Sequence, residues 1–134
     1  MHLYLDASAA IKLFSKEQES FAMVELIREV SASTAGKVFA STLTRLETIR
    51  SLRRKGIDPS KAMAFLDEAD LVDVKARDYR IAEIAEPDSL RSLDSLHLTL
   101  ALRLKELGVT LVSYDKQLVD AAIANGLKVL SPRL

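Results

Sequence analysis

Short apolar runs alternate with longer helix-period segments along this chain, and that alternation constrains its fold more than any other feature. Residues 2–5 read as a buried strand, and Asp6-Ala7-Ser8 then opens a helix to about Phe14. Residues 18–30 read as a second helix, with Phe21, Val24, Ile27 and Val30 on one face. Residues 38–40 form a second strand, ended by Ser41 and Thr42. Residues 43–55 are helical up to Gly56, and Asp58-Pro59 restarts a helix to about Glu68, so 43–68 is expected as a helical hairpin. Further strands are expected over 71–74, 109–113 and 127–130, with helices over 78–85, 93–107 and 116–125. Strands separated by helices imply a parallel sheet covered on both faces. Without repeats or linkers, the expectation is one three-layer α/β/α domain over residues 1–134.

Composition narrows the chemistry. The chain has no cysteine, which excludes disulfides, thiolate metal sites and a cysteine nucleophile, and fits a reducing cytoplasm. Residues 1–14 carry Asp6 inside their apolar run and no Lys or Arg before it, which does not read as a signal peptide. No apolar run reaches the length of about 18 residues that a membrane helix needs. The formal net charge is +0, so polyanion binding must come from a local patch or a bound cation.

Ligands of open α/β sheets bind beyond the carboxyl ends of the strands, where the strand order reverses. Asp6 follows the first strand, and Asp115 follows the fourth in Val112-Ser113-Tyr114-Asp115. Were those strands neighbours, the two carboxylates would face each other across the crevice. Either is equally readable as a helix N-cap. Asp94 opens a helix that is apolar almost all round, through Leu96, Leu98, Leu100, Ala101, Leu102 and Leu104. It gains from the helix dipole, but if buried it needs a cation, hydrogen bonds or water. Glu47 lies inside the third helix, where ion pairs with Arg50 or Arg54 are the plain alternative.

The conjunction weighs more than any member. Carboxylates held together repel and resist ionisation unless something positive intervenes. A hard divalent cation does this with a few carboxylates and its own waters. His97, one turn from Asp94, could orient that carboxylate, touch substrate, or be a hydrogen-bonded core histidine. Ser8 is either a helix-start hydroxyl or a contact to metal or phosphate. Arg45, Arg50, Arg53, Arg54 and Lys55 crowd the third helix, either as a solvated face or as phosphate contacts. No glycine-rich phosphate loop and no serine nucleophile elbow is present.

Taken in order, these segments resemble the PIN-domain nucleases, especially the VapC-type toxins of toxin–antitoxin pairs. Leu3-Tyr4-Leu5-Asp6-Ala7-Ser8 is similar to the family's opening strand and first acid, and Leu46-Glu47 to its second. Leu93-Asp94-Ser95-Leu96-His97-Leu98 resembles its most distinctive segment, and Ser113-Tyr114-Asp115-Lys116-Gln117-Leu118 its fourth acidic motif. Residues 126–132 end as the family does. Ser113 stands where many relatives carry threonine, which keeps the hydroxyl, and residues 74–93 are compact. The resemblance implies a five-stranded parallel sheet, cleavage of RNA with Mg2+ or Mn2+, a homodimer, and a small antitoxin that blocks the active site. Structured RNA such as transfer RNA is the substrate class it suggests.

On this reading Asp6, Glu47, Asp94 and Asp115 hold one or two ions for phosphodiester hydrolysis, Asp6 and Asp94 directly, with Ser8, Ser113 and Arg50 supporting them or the substrate. The rivals are a housekeeping PIN nuclease, a protein-interaction module whose acids are only caps, and a magnesium-binding receiver domain. A receiver should carry adjacent acids after its first strand, whereas Asp6 stands alone.

Overall fold

The computed structural model describes residues 1–133. In chain order it comprises β1 (His2–Leu5), α1 (Ala7–Lys12), α2 (Ser20–Ala32), β2 (Lys37–Ser41), α3 (Thr42–Arg54), α4 (Ser60–Glu68) and β3 (Asp70–Val72). There follow α5 (Ala76–Ala82), α6 (Ser92–Arg103), a 3₁₀ turn (Lys105–Leu107), β4 (Val109–Val112), α7 (Lys116–Ala124) and β5 (Lys128–Leu130). The strands form a single five-stranded sheet in the order β3-β2-β1-β4-β5. All four pairings are parallel.

β1 is the centre, buried on both faces, and its sequence is accordingly a continuous apolar run. The period-2 alternation of a strand sends its side chains to two cores. Leu3 and Leu5 pack with Ala9, Met23, Val30 and Val112 on one face. Tyr4 packs with Leu96, Leu98, Leu100, Leu111 and Leu118 on the other. Each fully buried leucine contributes about 1.5–3 kcal/mol. Helix α6 therefore lies directly on the sheet, which explains why its sequence is apolar on nearly every side.

From β1 the chain steps outward to β2 and β3, then returns through α5 and α6 to place β4 on the other flank of β1. The reversal of strand order falls between β1 and β4, with Leu5 beside Val112 at their carboxyl ends. The order also rejects the receiver alternative: that doubly wound fold places its strands 2-1-3-4-5, whereas here β3 is an edge strand beyond β2.

Element boundaries differ from expectation for identifiable reasons. The first helix stops at Lys12 because Leu13 and Phe14 turn through i→i+3 bonds to Ala10 and Ile11. The second begins at Ser20, whose hydroxyl instead ties residues 15 and 17 together. The fifth begins at Ala76, because Asp78 accepts the Lys75 N–H at 2.8 Å and closes its first turn. The long sixth helix ends at Arg103, tightens to 3₁₀, and stops at Gly108, whose φ of 76° is left-handed. The third strand is shorter than expected because Val74 N–H turns away to the Thr42 hydroxyl at 3.1 Å.

Candidate active site

Asp6 follows the last residue of β1 and caps α1. Its Oδ1 accepts Ala9 N–H at 2.9 Å and the Ser8 hydroxyl at 2.7 Å, and its Oδ2 accepts the Ser113 hydroxyl at 2.6 Å. The cap reading holds, and the same carboxylate stands at the β1–β4 seam where the site was expected. A carboxylate offers about four acceptor positions, and three are used here. Asp6 is only 3% exposed, and burial pushes its pKa up despite the nearby His97 and these donors, all of which pull it down.

Asp115 caps α7, with Oδ1 accepting Gln117 and Leu118 N–H at 3.0 and 3.3 Å. Its own N–H donates to the Ser113 hydroxyl at 3.1 Å. Ser113 thereby joins two of the acids, and the Ser8 hydroxyl, accepting from Tyr114 N–H at 2.9 Å, braces the same turn. Both serines act by orienting Asp6 across the β1–β4 seam.

Asp94 stands in the first turn of α6, half-buried, with no hydrogen-bond donor reaching it among the described residues. Burial raises its pKa to about 6, and the negative charge and contact of Asp115 and the charge of Asp6 push the same way; His97 opposes them. Three expected acids therefore converge electrostatically, and among the described residues no Lys or Arg pairs with any of them. As the side chains stand, no three His, Asp or Glu residues among those described enclose an ion position. The donor set nonetheless fits a hard divalent cation: it is all carboxylate oxygen, buried or half-buried, mutually repelling and, among the described residues, paired with no Lys or Arg.

Glu47 departs from expectation. It forms no ion pair with Arg50 or Arg54; its Oε1 lies 2.6 Å from His97 Nε2. His97 therefore serves Glu47 rather than Asp94, because its ring turns inward against Tyr4. It is 3% exposed, and its Nδ1 is 2.8 Å from the Tyr4 hydroxyl. Arg50, one turn beyond Glu47, is exposed and unpaired among the described residues, whereas Arg45 is held by Asp67 at 2.9 Å.

The sequence reading missed Tyr4, Ser41 and Thr44, which back His97 from the interior. Ser41 and Thr44 form a reciprocal capping box at the start of α3, with threonine in place of the Glu or Gln that marks this motif in a sequence. Nothing local in the sequence tied that box to Tyr4.

The PIN domain family matches residues 3–124. Ribonuclease VapC46 of Mycobacterium tuberculosis (strain ATCC 25618 / H37Rv) is 38% identical over 132 residues, covering 97% of both chains. Ribonuclease VapC47 of Mycobacterium tuberculosis (strain CDC 1551 / Oshkosh) is 33% identical over 134 residues, covering 97% of this chain and 96% of that one. Among solved structures, Mycobacterium tuberculosis VapC20, described as a Sarcin-Ricin loop cleaving toxin, superposes with a TM-score of 0.70 at 16% identity, over 97% of this chain and 99% of that one. A chain of FitAB bound to an IR36 DNA fragment gives 0.65 at 12% identity, over 97% and 94%. With the family spanning nearly the whole fold and VapC relatives matched end to end, this chain belongs to the PIN-domain family, among its VapC-type members.

Proposed function

We propose that this chain is a Mg2+- or Mn2+-dependent endoribonuclease that hydrolyses RNA phosphodiester bonds as the toxin of a toxin–antitoxin pair. The observation that carries the reading is the repulsion that Asp94 feels from Asp115 and Asp6 beside the β1–β4 switch point, with burial raising its pKa to about 6 and no Lys or Arg among the described residues paired with any of the three. The ribonuclease names of the VapC relatives support the same chemistry.

In this proposal Asp6 and Asp94 hold the ion directly, while Glu47 and Asp115 act through water or complete a second position. With a divalent cation there, the carboxylate repulsion would be offset and Lewis-acid help would be available to a water and to the phosphate. The protein's own part is orientation. Ser8, Ser113 and Ala9 N–H fix the orientation of Asp6 and leave one acceptor position unused. The α7 cap fixes Asp115 through one oxygen and leaves the other open. Arg50, exposed beside Glu47, takes a substrate phosphate.

Structured RNA is the proposed substrate class, transfer RNA included, supported by the Sarcin-Ricin loop named for VapC20. A cognate antitoxin and a second copy of the chain are the proposed protein partners. Tyr79 and Leu93, both exposed, line a shallow cavity of about 440 Å³ between α5 and α6 that a second copy could cover. No helix among the described residues is long and apolar enough to cross a membrane, and the proposed compartment is the cytoplasm.

Incubation of purified protein with total RNA tests the reading. Fragments should appear with Mn2+ and vanish with chelator; cleavage that survives chelation, or its absence with either metal, rejects it.

A further inference from the structure

Behind Glu47 runs a chain of polar groups through what would otherwise be apolar core. Glu47 Oε1 lies 2.6 Å from His97 Nε2, and His97 Nδ1 lies 2.8 Å from the Tyr4 hydroxyl. The Tyr4 hydroxyl lies 3.0 Å from Ser41 Oγ, which accepts Thr44 N–H at 3.0 Å. The Thr44 hydroxyl closes the run on the Leu5 carbonyl at 2.8 Å, one residue before Asp6. Tyr4, Ser41 and Thr44 are fully buried.

Such a network adds little stability over well-packed apolar side chains, and each of its members is costly if left unsatisfied. Its placement indicates another purpose. Each of three acids stands near one member of the network in sequence: Asp6 just after the β1 that carries Tyr4, Asp94 with His97 on α6, and Glu47 with Thr44 on α3. Of these acids, Glu47 has the longest side chain and no backbone donor. Free, its carboxylate would sample rotamers that ordering costs up to about 2 kcal/mol to suppress. The network supplies that order. With Nε2 carrying the hydrogen that faces the carboxylate, the Tyr4 hydroxyl meets Nδ1 as donor or as acceptor according to whether Nδ1 is bare or protonated. Burial also pushes the Tyr4 pKa far above the usual phenol range, so the hydroxyl keeps its proton.

We propose that His97, braced by Tyr4, is a positioning residue that fixes the orientation of the Glu47 carboxylate and so sets the affinity of the proposed site for a divalent cation. This rests on the cation site proposed above. Hydrogen-bonded partners of ligating groups typically change metal affinity by about 10–100-fold when removed.

Mn2+ binding, measured by electron paramagnetic resonance on the full chain with melting curves in chelator alongside, tests it. The substitution His97→Gln places an amide nitrogen near the position of Nε2, whereas the shorter side chain of His97→Asn falls short of it. His97→Asn is therefore expected to weaken Mn2+ binding about 10–100-fold, and His97→Gln to recover most of it. Tyr4→Phe is expected to weaken binding less. In a Glu47→Gln background, His97→Asn is expected to cause no further loss, since its effect passes through Glu47. Wild-type affinity in His97→Asn, equal loss in His97→Gln, or an undiminished effect in the Glu47→Gln background overturns the positioning role. Should His97→Asn fail to fold, Tyr4→Phe decides: weaker binding supports the role and wild-type affinity overturns it. Wild-type protein that takes up no Mn2+ rejects the cation site itself, and the positioning role with it.

Discussion

Ser113 and Asp6, 107 positions apart in sequence, meet at 2.6 Å, the serine hydroxyl donating to a carboxylate that is otherwise sealed in the interior. Removing the hydroxyl leaves a buried charge one donor short, which costs about 1.5–3 kcal/mol. Ser113→Ala is expected to lower the melting temperature and slow RNA cleavage about tenfold or more. Ser113→Thr, which keeps the donor, should restore both. Equal behaviour of the two variants in melting and cleavage assays would refute the assignment.

Asp6→Asn and Asp94→Asn are each expected to reduce cleavage by at least about a hundredfold, the scale on which a single electrostatic group at a reacting centre acts. Circular dichroism should show the fold retained, because an amide oxygen can still accept at the α1 cap and Asp94 makes no bond that holds α6. Full activity in either purified variant rejects that residue's role.

The raised pKa of Asp94 gives a stability signature with a definite sign. Its folded-state pKa is about 6 against an ordinary 3.8. The folded state therefore binds the proton more tightly, and the contribution is fully present below pH 3.8 and lost as pH rises through about 6. In chelator, Asp94→Asn is expected to gain stability relative to wild type across that window, so their melting temperatures separate as pH climbs. With Mn2+ at a hundred times its dissociation constant, the wild type should gain about 2.7 kcal/mol, a gain the variant lacks. A difference that stays flat with pH would contradict this account of Asp94.

Much of this architecture was legible because its signals are local. The buried strands of the sheet announce themselves as apolar runs, and Asp6 and Asp115 stand where a strand hands over to a helix. The strand order that makes β1 and β4 neighbours is not local; in the sequence it stands only as a condition, and the resemblance implies no more than a five-stranded parallel sheet. Glu47 and His97 show the limit most clearly. Each was readable on its own helix, but the expected neighbours, Arg50 and Asp94, lie one turn away, while the actual contact spans 50 positions. Tertiary packing against Tyr4 decided it, and helix spacing carries no trace of that.

Two arginines of α3 should separate by function. Arg50 is exposed and unpaired among the described residues, whereas Arg45 is tied to Asp67 at 2.9 Å. Arg50→Ala is expected to raise KM for RNA with little change in kcat, and to reduce the dependence of binding on log salt by about one unit. Arg45→Ala should leave both nearly unchanged. Steady-state cleavage at several salt concentrations distinguishes them, and identical behaviour would remove Arg50 from the substrate path.

Far from the acids, Asp78 is 2% exposed and bonds Arg103 at 2.6 Å as well as Lys75 N–H at 2.8 Å. Asp78→Ala strands the arginine and uncaps α5. Because Arg103 keeps part of its hydration, the cost should fall near the low end for broken buried pairs, about 3 kcal/mol. Thermal melts measure it, and a loss within about 0.5 kcal/mol would mean the pair is a surface contact in energetic terms.

The seam between β1 and β4 has a consequence during synthesis. Asp6 is made almost at once and Asp115 only near the end, so on a ribosome producing this chain the proposed ligands stay apart for most of translation. Domains emerge from the N-terminus onward at about 5–20 residues per second. For seconds the first strand waits for its late neighbour, and the proposed cation site waits with it.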